Sequence, residues 1–241
     1  MSSDKQITLY YSKMSVNVHR VCMALEEAKL SYKTYPIQIA APKPAWYLEK
    51  INPKGLIPAI TYGGPDVPGD HPSPSATVIT ESPIIMEFIA DLRPHAGLLP
   101  ADPVARAKVR MFIDTVNTQL VPAFLRFLKE GASYEPVLDG VRAVQRLLPE
   151  YYENGNGTWA VGDTFTIADI AAAPFVARVR LPGKYSVGKY AAGEERLLQD
   201  ALDSPEFARF KAYGVRLFER PSFKATYDED HIVSEWRRLL A

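Results

Sequence analysis

From Ile7 to Arg93 the apolar positions switch between two periods, and each switch predicts an element. Ile7–Tyr11 is a β-branched and aromatic run, which predicts a strand. Residues 16–28 place Val18, Val21, Cys22, Leu25 and Ala28 at helical spacing, with Arg20, Glu26, Glu27 and Lys29 on the wetter face. Residues 32–39 predict a second strand, able to pair in parallel with the first because the intervening helix supplies the crossover. Residues 42–50 read as irregular to helical. Residues 59–62 and 77–79 predict two more strands, joined by a long surface loop over 63–75 rich in Gly, Pro, Asp and Ser. Ser82 is expected to N-cap a helix with Pro83 as its first residue. That helix should bury Ile84, Ile85, Phe88, Ile89 and Leu92.

After Asp102 the pattern is helical throughout. Residues 104–130 form a long amphipathic run with Pro122 as its expected kink. Residues 138–152 predict a second helix, ended by Asn154-Gly-Asn-Gly157. Thr166-Ile-Ala-Asp169 is an acidic variant of the capping box, opening a nearly uncharged helix to about Ala177 that should be the buried centre of a bundle. Residues 182–193, with three glycines, read as a loop, and two or three further helices follow, the last near 231–240. The expected fold class is therefore α/β + all-α. An α/β domain spans 1–93, a proline-rich linker 94–103, and an all-helical domain 104–241.

Composition narrows the function classes. The 28 basic and 28 acidic side chains cancel, so charge gives no case for nucleic acid or an anionic membrane as partner. One cysteine, Cys22, excludes an intrachain disulfide and fits a reducing compartment. No apolar signal region or membrane-length apolar run is present. A soluble, cytoplasmic protein is expected. The four histidines (His19, His71, His95, His231) lack metal-ligand spacing, so no metal is expected.

Three motifs carry the chemistry: Tyr10-Tyr-Ser-Lys-Met-Ser15-Val-Asn-Val-His-Arg20, Asn52-Pro-Lys-Gly-Leu-Ile57-Pro58 and Thr80-Glu81-Ser82-Pro83. In this order, on an α/β domain followed by helices, the chain resembles the cytosolic glutathione transferase family over nearly its whole length. Three details make it most similar to the omega class, in a fungal-type version with serine at the active position. They are the Ser15-to-Arg20 spacing, Lys43-Pro44-Ala-Trp46, and Leu98-Leu-Pro-Ala-Asp-Pro103. The chain departs from that pattern in having Val16 where omega sequences have proline, and in its long 63–75 loop. The resemblance implies a thioredoxin-like first domain, glutathione as co-substrate, no metal, and a homodimer.

Ser15 stands at the predicted N-terminus of the first helix, where unpartnered N–H groups and the helix dipole favour a thiolate. Its hydroxyl could donate a hydrogen bond to that sulfur, or it could be a plain N-cap. Tyr10, Tyr11 and Ser12 are rival donors, with strand packing or a turn as their ordinary roles. The remaining assignments follow from the resemblance. Ile57-Pro58 is the cis-proline corner that meets the cysteinyl backbone. Ser82 holds the γ-glutamyl carboxylate at a helix N-terminus, and Glu81 holds the α-amino group. Lys43 faces the glycyl carboxylate. Phe124, Phe127 and Arg178 are candidates for the hydrophobic substrate, although the core is the more common fate of phenylalanines at helical spacing such as Phe124 and Phe127. Cys22 lies on the buried stripe and reads as a core residue.

Serine cannot form a mixed disulfide, so conjugation or peroxidase-like chemistry on small hydrophobic electrophiles is expected, with little thiol–disulfide exchange. Isothiocyanates, halogenated aromatics and hydroperoxides are the classes to try. Two alternatives stand beside this. One is a carrier of aromatic or phenolic molecules, which thirteen tyrosines would suit. The other is a regulatory or interaction role on the same fold.

Overall fold

The computed structural model describes residues 5–149 and 159–240. The chain divides into two compact units, Met1–Ala96 and Gly97–Ala241.

The first unit runs β1 (Ile7–Tyr11), α1 (Val16–Glu27), β2 (Lys33–Pro36), α2 (Ala45–Lys50), β3 (Ala59–Tyr62), β4 (Thr77–Thr80) and α3 (Ser82–Leu92), closing on a 3-10 turn over Pro94–Ala96. The sheet order is β2-β1-β3-β4. β1 pairs with β2 in parallel, as the crossover through α1 allows, and antiparallel with β3, which pairs antiparallel with β4. β1 is central, and four of its five residues are buried: Ile7 and Leu9 on one face, Thr8 and Tyr10 on the other. The Tyr10 face packs with Tyr47 and Ile51 of the α2 region, together with Ile37 and Ala59.

β2 stops at Pro36, short of the expected 39, because its partner β1 ends at Tyr11: the Tyr11 carbonyl takes the Ile37 N–H at 2.8 Å as the last bond of the pair. α3 also departs from expectation. Its N-cap is Glu81, and Ser82 and Pro83 are the first two helical residues. Its buried stripe is Ser82, Ile85, Met86, Ile89 and Ala90, so Ile84 faces outward at 57% exposure and Met86 takes the core position. Arg20, expected on the wet face of α1, is buried.

The 63–75 loop is tied to the sheet. The Tyr10 hydroxyl donates to the Gly69 carbonyl at 2.8 Å. Lys33 pairs with Asp66. Gly69 lies so close to Tyr35 that a Cβ would overlap its ring, so only glycine fits there.

The second unit is helical: α4 (Pro103–Thr115), α5 (Val121–Glu130), α6 (Glu135–Leu147), α7 (Ile167–Arg178), α8 (Leu181–Tyr185), α9 (Glu194–Asp203), α10 (Ala208–Glu219), α11 (Pro221–Thr226) and α12 (Glu229–Leu240). The long run expected over 104–130 is interrupted by a π turn over Val116–Leu120, where the Val121 N–H reaches back to the Val116 carbonyl. Pro122 follows directly and lacks the N–H that a regular turn would use. α6 packs on that widened turn through Gly140, whose Cβ would sit 2.7 Å from Leu120 Cα. α6 begins earlier than expected and ends at Leu147, because Leu148 precedes Pro149 and turns extended (φ −68°, ψ 141°). The Asn154–Gly157 stop signal lies outside the described residues.

α7 has every residue buried, as expected for the bundle centre, and the Thr166 capping box is present. Asp169 accepts from the Thr166 and Ala160 N–H groups, both at 2.8 Å, and from the Tyr213 hydroxyl at 3.0 Å. The stretch expected as a loop after Pro182 contains the short α8, and four helices follow it rather than two or three.

Candidate active site

Ser15 owes its position to the turn between β1 and α1. Its N–H donates to the Ser12 carbonyl at 3.0 Å, and its backbone stays extended (φ −71°, ψ 122°) before the helix begins. Its hydroxyl oxygen accepts the Val18 N–H at 3.3 Å, which makes it the N-cap of α1. The side chain is half-buried. The N–H groups of the first helical turn have no intrahelical acceptors, and the helix dipole adds partial positive charge there. The surroundings therefore suit an anion, and a serine hydroxyl used as acceptor by Val18 still has its proton to donate.

The rivals fare differently. Tyr10 is fully buried, gives its proton to Gly69, and has its phenol pushed up to about 12 by burial. Tyr11 is half-buried at the end of β1, and Ser12 supplies the carbonyl that holds Ser15. Burial pushes the Cys22 thiol up to about 12, so it stays protonated at neutral pH and is a core residue rather than a nucleophile.

The second motif forms a braced corner. Asn52 is buried; its Oδ1 accepts the Lys54 N–H at 3.1 Å, and its Nδ2 donates to the Leu56 carbonyl at 2.9 Å. The Tyr47 hydroxyl donates to that same carbonyl at 2.8 Å. Gly55 supplies the left-handed residue (φ 65°) the turn needs. Immediately beyond, the Ile57–Pro58 peptide is cis.

In the third motif Glu81 is itself left-handed (φ 67°, ψ 116°), an uncommon state for a residue with a Cβ and one that gathers at functional sites. Its Oε1 pairs with Lys54 Nζ at 2.9 Å. Ser82 is buried directly after it at the start of α3. The structure thus ties the Glu81 segment to the corner before the cis-proline. The sequence pattern singled out the Asn-Pro-Lys-Gly turn but missed Lys54; a turn that projects a cation beside an expected carboxylate was the available signal.

Lys43 is half-buried, and its ammonium donates to the carbonyls of Gln38, Ile39 and Ala41 at 2.6, 3.0 and 3.0 Å. Phe124 and Phe127 lie within the helical unit, against Trp236 and stacked on Tyr190 respectively. Arg178 is fully buried, donates to the Pro174 carbonyl at 3.1 Å and lies over the Tyr227 ring. Burial lowers its pKa to about 10, which leaves it charged at neutral pH.

Family models match both units: glutathione S-transferase N-terminal domain over residues 14–92 and C-terminal domain over 93–213. The chain belongs to the glutathione S-transferase family. Its fold is the glutathione transferase fold, and it is similar to omega-class members from Trametes versicolor. Glutathione transferase Omega 1C is 41% identical, with a TM-score of 0.90 over 98% of this chain and 97% of that one. Omega 2S, solved in complex with 2,4-dihydroxybenzophenone, is 38% identical with a TM-score of 0.87 over 97% and 98%. A probable maleylacetoacetate isomerase from Caenorhabditis elegans is 29% identical over 73% of this chain and 79% of that protein. The glutathione transferase family uses glutathione as co-substrate. Among the described residues no helix is long and apolar enough to cross a membrane, and no three His, Cys, Asp or Glu side chains come together as a metal site.

Proposed function

We propose that Ser15 activates the thiol of glutathione for conjugation to small hydrophobic electrophiles. The observation that carries this reading is the Ser15–Val18 hydrogen bond, which uses the serine as acceptor and leaves its proton for a sulfur at the start of α1. The thiol proton passes to solvent, and the Ser15 hydroxyl donates to the thiolate. The sulfur then attacks an electrophilic carbon, forming a C–S bond while a halide departs or the nitrogen of an isothiocyanate takes up a proton. The Ile57–Pro58 corner would hold the cysteinyl backbone, Ser82 and the α3 N-terminus the γ-glutamyl carboxylate, Glu81 the α-ammonium, and Lys43, on releasing one of its three carbonyl partners, the glycyl carboxylate.

In this reading residues 1–93 are the glutathione-binding domain, 94–103 the linker, and 104–241 the domain that serves the hydrophobic substrate. Phe124, Phe127 and Arg178, buried as they are, act through packing rather than by touching the electrophile. Peroxidase-like turnover fits the same thiolate. Thiol–disulfide exchange does not, because the buried Cys22 thiol stays protonated. The likeness to a protein solved with a dihydroxybenzophenone supports aromatic or phenolic second ligands. We place the working protein in the cytoplasm as a homodimer.

The test is a parallel assay of wild type and Ser15→Ala on an isothiocyanate and on a glutathione mixed disulfide. Wild type should act on the first alone, and the variant should lose that activity. Turnover of the disulfide would mean a thiol takes part and would overturn the assignment. Silence on both, with glutathione still bound, would favour a carrier.

A further inference from the structure

We infer that Lys54 sets how strongly the site selects for the α-amino group of its peptide co-substrate. The inference rests on the reading of Glu81 as the group that takes that ammonium.

The geometry makes Lys54 a fixed competitor for the Glu81 carboxylate rather than a passing surface charge. Its backbone N–H is held by Asn52 Oδ1, and Gly55 closes the same turn. The turn leads through the doubly bonded Leu56 carbonyl into the cis Ile57–Pro58 peptide. At the other end of the ion pair, Glu81 is fixed at φ 67° and caps α3. The Lys54 Nζ to Glu81 Oε1 contact of 2.9 Å therefore joins two segments whose backbones are each set by other contacts.

The pair is also open to challenge. The two side chains are 69% and 48% exposed, so solvent screens their attraction and a second cation can reach the carboxylate. The recorded contact uses Oε1 alone, which leaves Oε2 available to an incoming ammonium. That ammonium would meet a carboxylate already partly neutralised, with a like charge close by. Lys54 thus reduces the advantage that an α-amino group confers, while the carboxylate recognition at α3 is untouched by the comparison.

The experiment compares glutathione with its desamino analogue, glutaryl-cysteinyl-glycine, which lacks only the α-amino group. Dissociation constants are measured by calorimetry at low ionic strength for wild type, Lys54→Met and Lys54→Arg. The readout is the affinity ratio of the two peptides, which a general loosening of the site would not raise. In Lys54→Met the preference for glutathione should rise about threefold, the scale of an exposed ion pair, and Lys54→Arg should keep the wild-type ratio. Added salt should shrink the difference. An unchanged ratio in Lys54→Met, with wild type still preferring glutathione, would overturn the role of Lys54 alone. A lower ratio would mean Lys54 props Glu81 toward the ligand, which is the opposite of competition. Equal affinity of wild type for both peptides would instead remove the Glu81 reading on which the inference stands.

Discussion

The hydroxyl oxygen of Ser15 accepts the Val18 N–H at 3.3 Å, and this one bond divides the serine between two tasks. As acceptor it caps α1. As donor it is available to a thiolate. Replacing Ser15 by alanine should therefore cost twice, and the two losses are separable. Loss of the cap should lower stability by about 1 kcal/mol in denaturant unfolding. Loss of the donor should lower conjugation by roughly 10–100-fold, the worth of a hydrogen bond to a charged group, with glutathione affinity changed far less. Equal losses in kcat/KM and in glutathione binding would mean the residue only shapes the peptide site.

Ser15→Cys places a thiol at a helix N-terminus, where thiol pKa values fall. The variant should gain reduction of a glutathione mixed disulfide while its conjugation rate drops. No exchange activity in a correctly folded Ser15→Cys protein would show that the N-terminus of α1 does not stabilise a thiolate.

Tyr10 serves the fold. Its hydroxyl holds the Gly69 carbonyl at 2.8 Å, and its ring packs edge-on to Tyr47. Tyr10→Phe should keep full conjugation activity and lose about 1 kcal/mol of stability. A large drop in kcat with unchanged stability would return Tyr10 to the chemistry.

Gly140→Ala is the case where helix propensity and packing disagree. In an open helix the change would stabilise by up to about 1 kcal/mol. Here the added methyl would stand 2.7 Å from Leu120 Cα and 3.0 Å from the Gln119 carbonyl oxygen, so backbone must move. A net loss of about 1–3 kcal/mol is expected. A stabilised variant would show that α6 does not press on the π turn.

Asp169 is the buried acid whose titration should be visible in stability. Burial raises its pKa to about 6, against hydrogen bonds from Ala160, Thr166 and Tyr213 that pull the other way. A raised pKa means the folded state binds the proton more readily than the unfolded chain. Its contribution is therefore largest below about pH 4 and declines as pH rises through 6. Against Asp169→Asn, which cannot titrate there, wild type should lose relative stability between pH 4 and pH 7. The asparagine variant should still be weaker at neutral pH by about 2–4 kcal/mol, because its amide NH2 faces donors. A stability difference that grows with pH over this range would reverse the sign and the assignment.

Much of the fold was legible because local signals and burial agreed. The parallel β1–β2 pair follows from a strand, helix, strand pattern, and α7 announced itself by a capping box on an uncharged run. The misses have two physical causes: backbone turns set by particular residues, and packing between residues distant in sequence. Ser82 and Pro83 look like cap and first residue, but the left-handed turn at Glu81 moves the cap back by one. That shift is not visible in residue types, since glutamate rarely adopts positive φ. Arg20 looked solvated by its charge, yet it is buried and donates to Asn17. The π turn before Pro122 packs against Gly140, and the short α8 packs through Gly183 against Gln199, neighbours that no local window contains. At the site, the motifs marked Ser15, the cis-proline corner and Glu81-Ser82, but the Lys54–Glu81 tie joins residues 27 apart.

The most direct test of the central claim is the thiol pKa of bound glutathione, followed by thiolate absorbance across pH in wild type and in Ser15→Ala. If Ser15 donates to the sulfur at the start of α1, the wild-type thiol should titrate clearly below the free value of about 8.5. The alanine variant should move back toward that value with glutathione still bound. Identical titrations in the two proteins would contradict the account and leave Ser15 as a helix cap only.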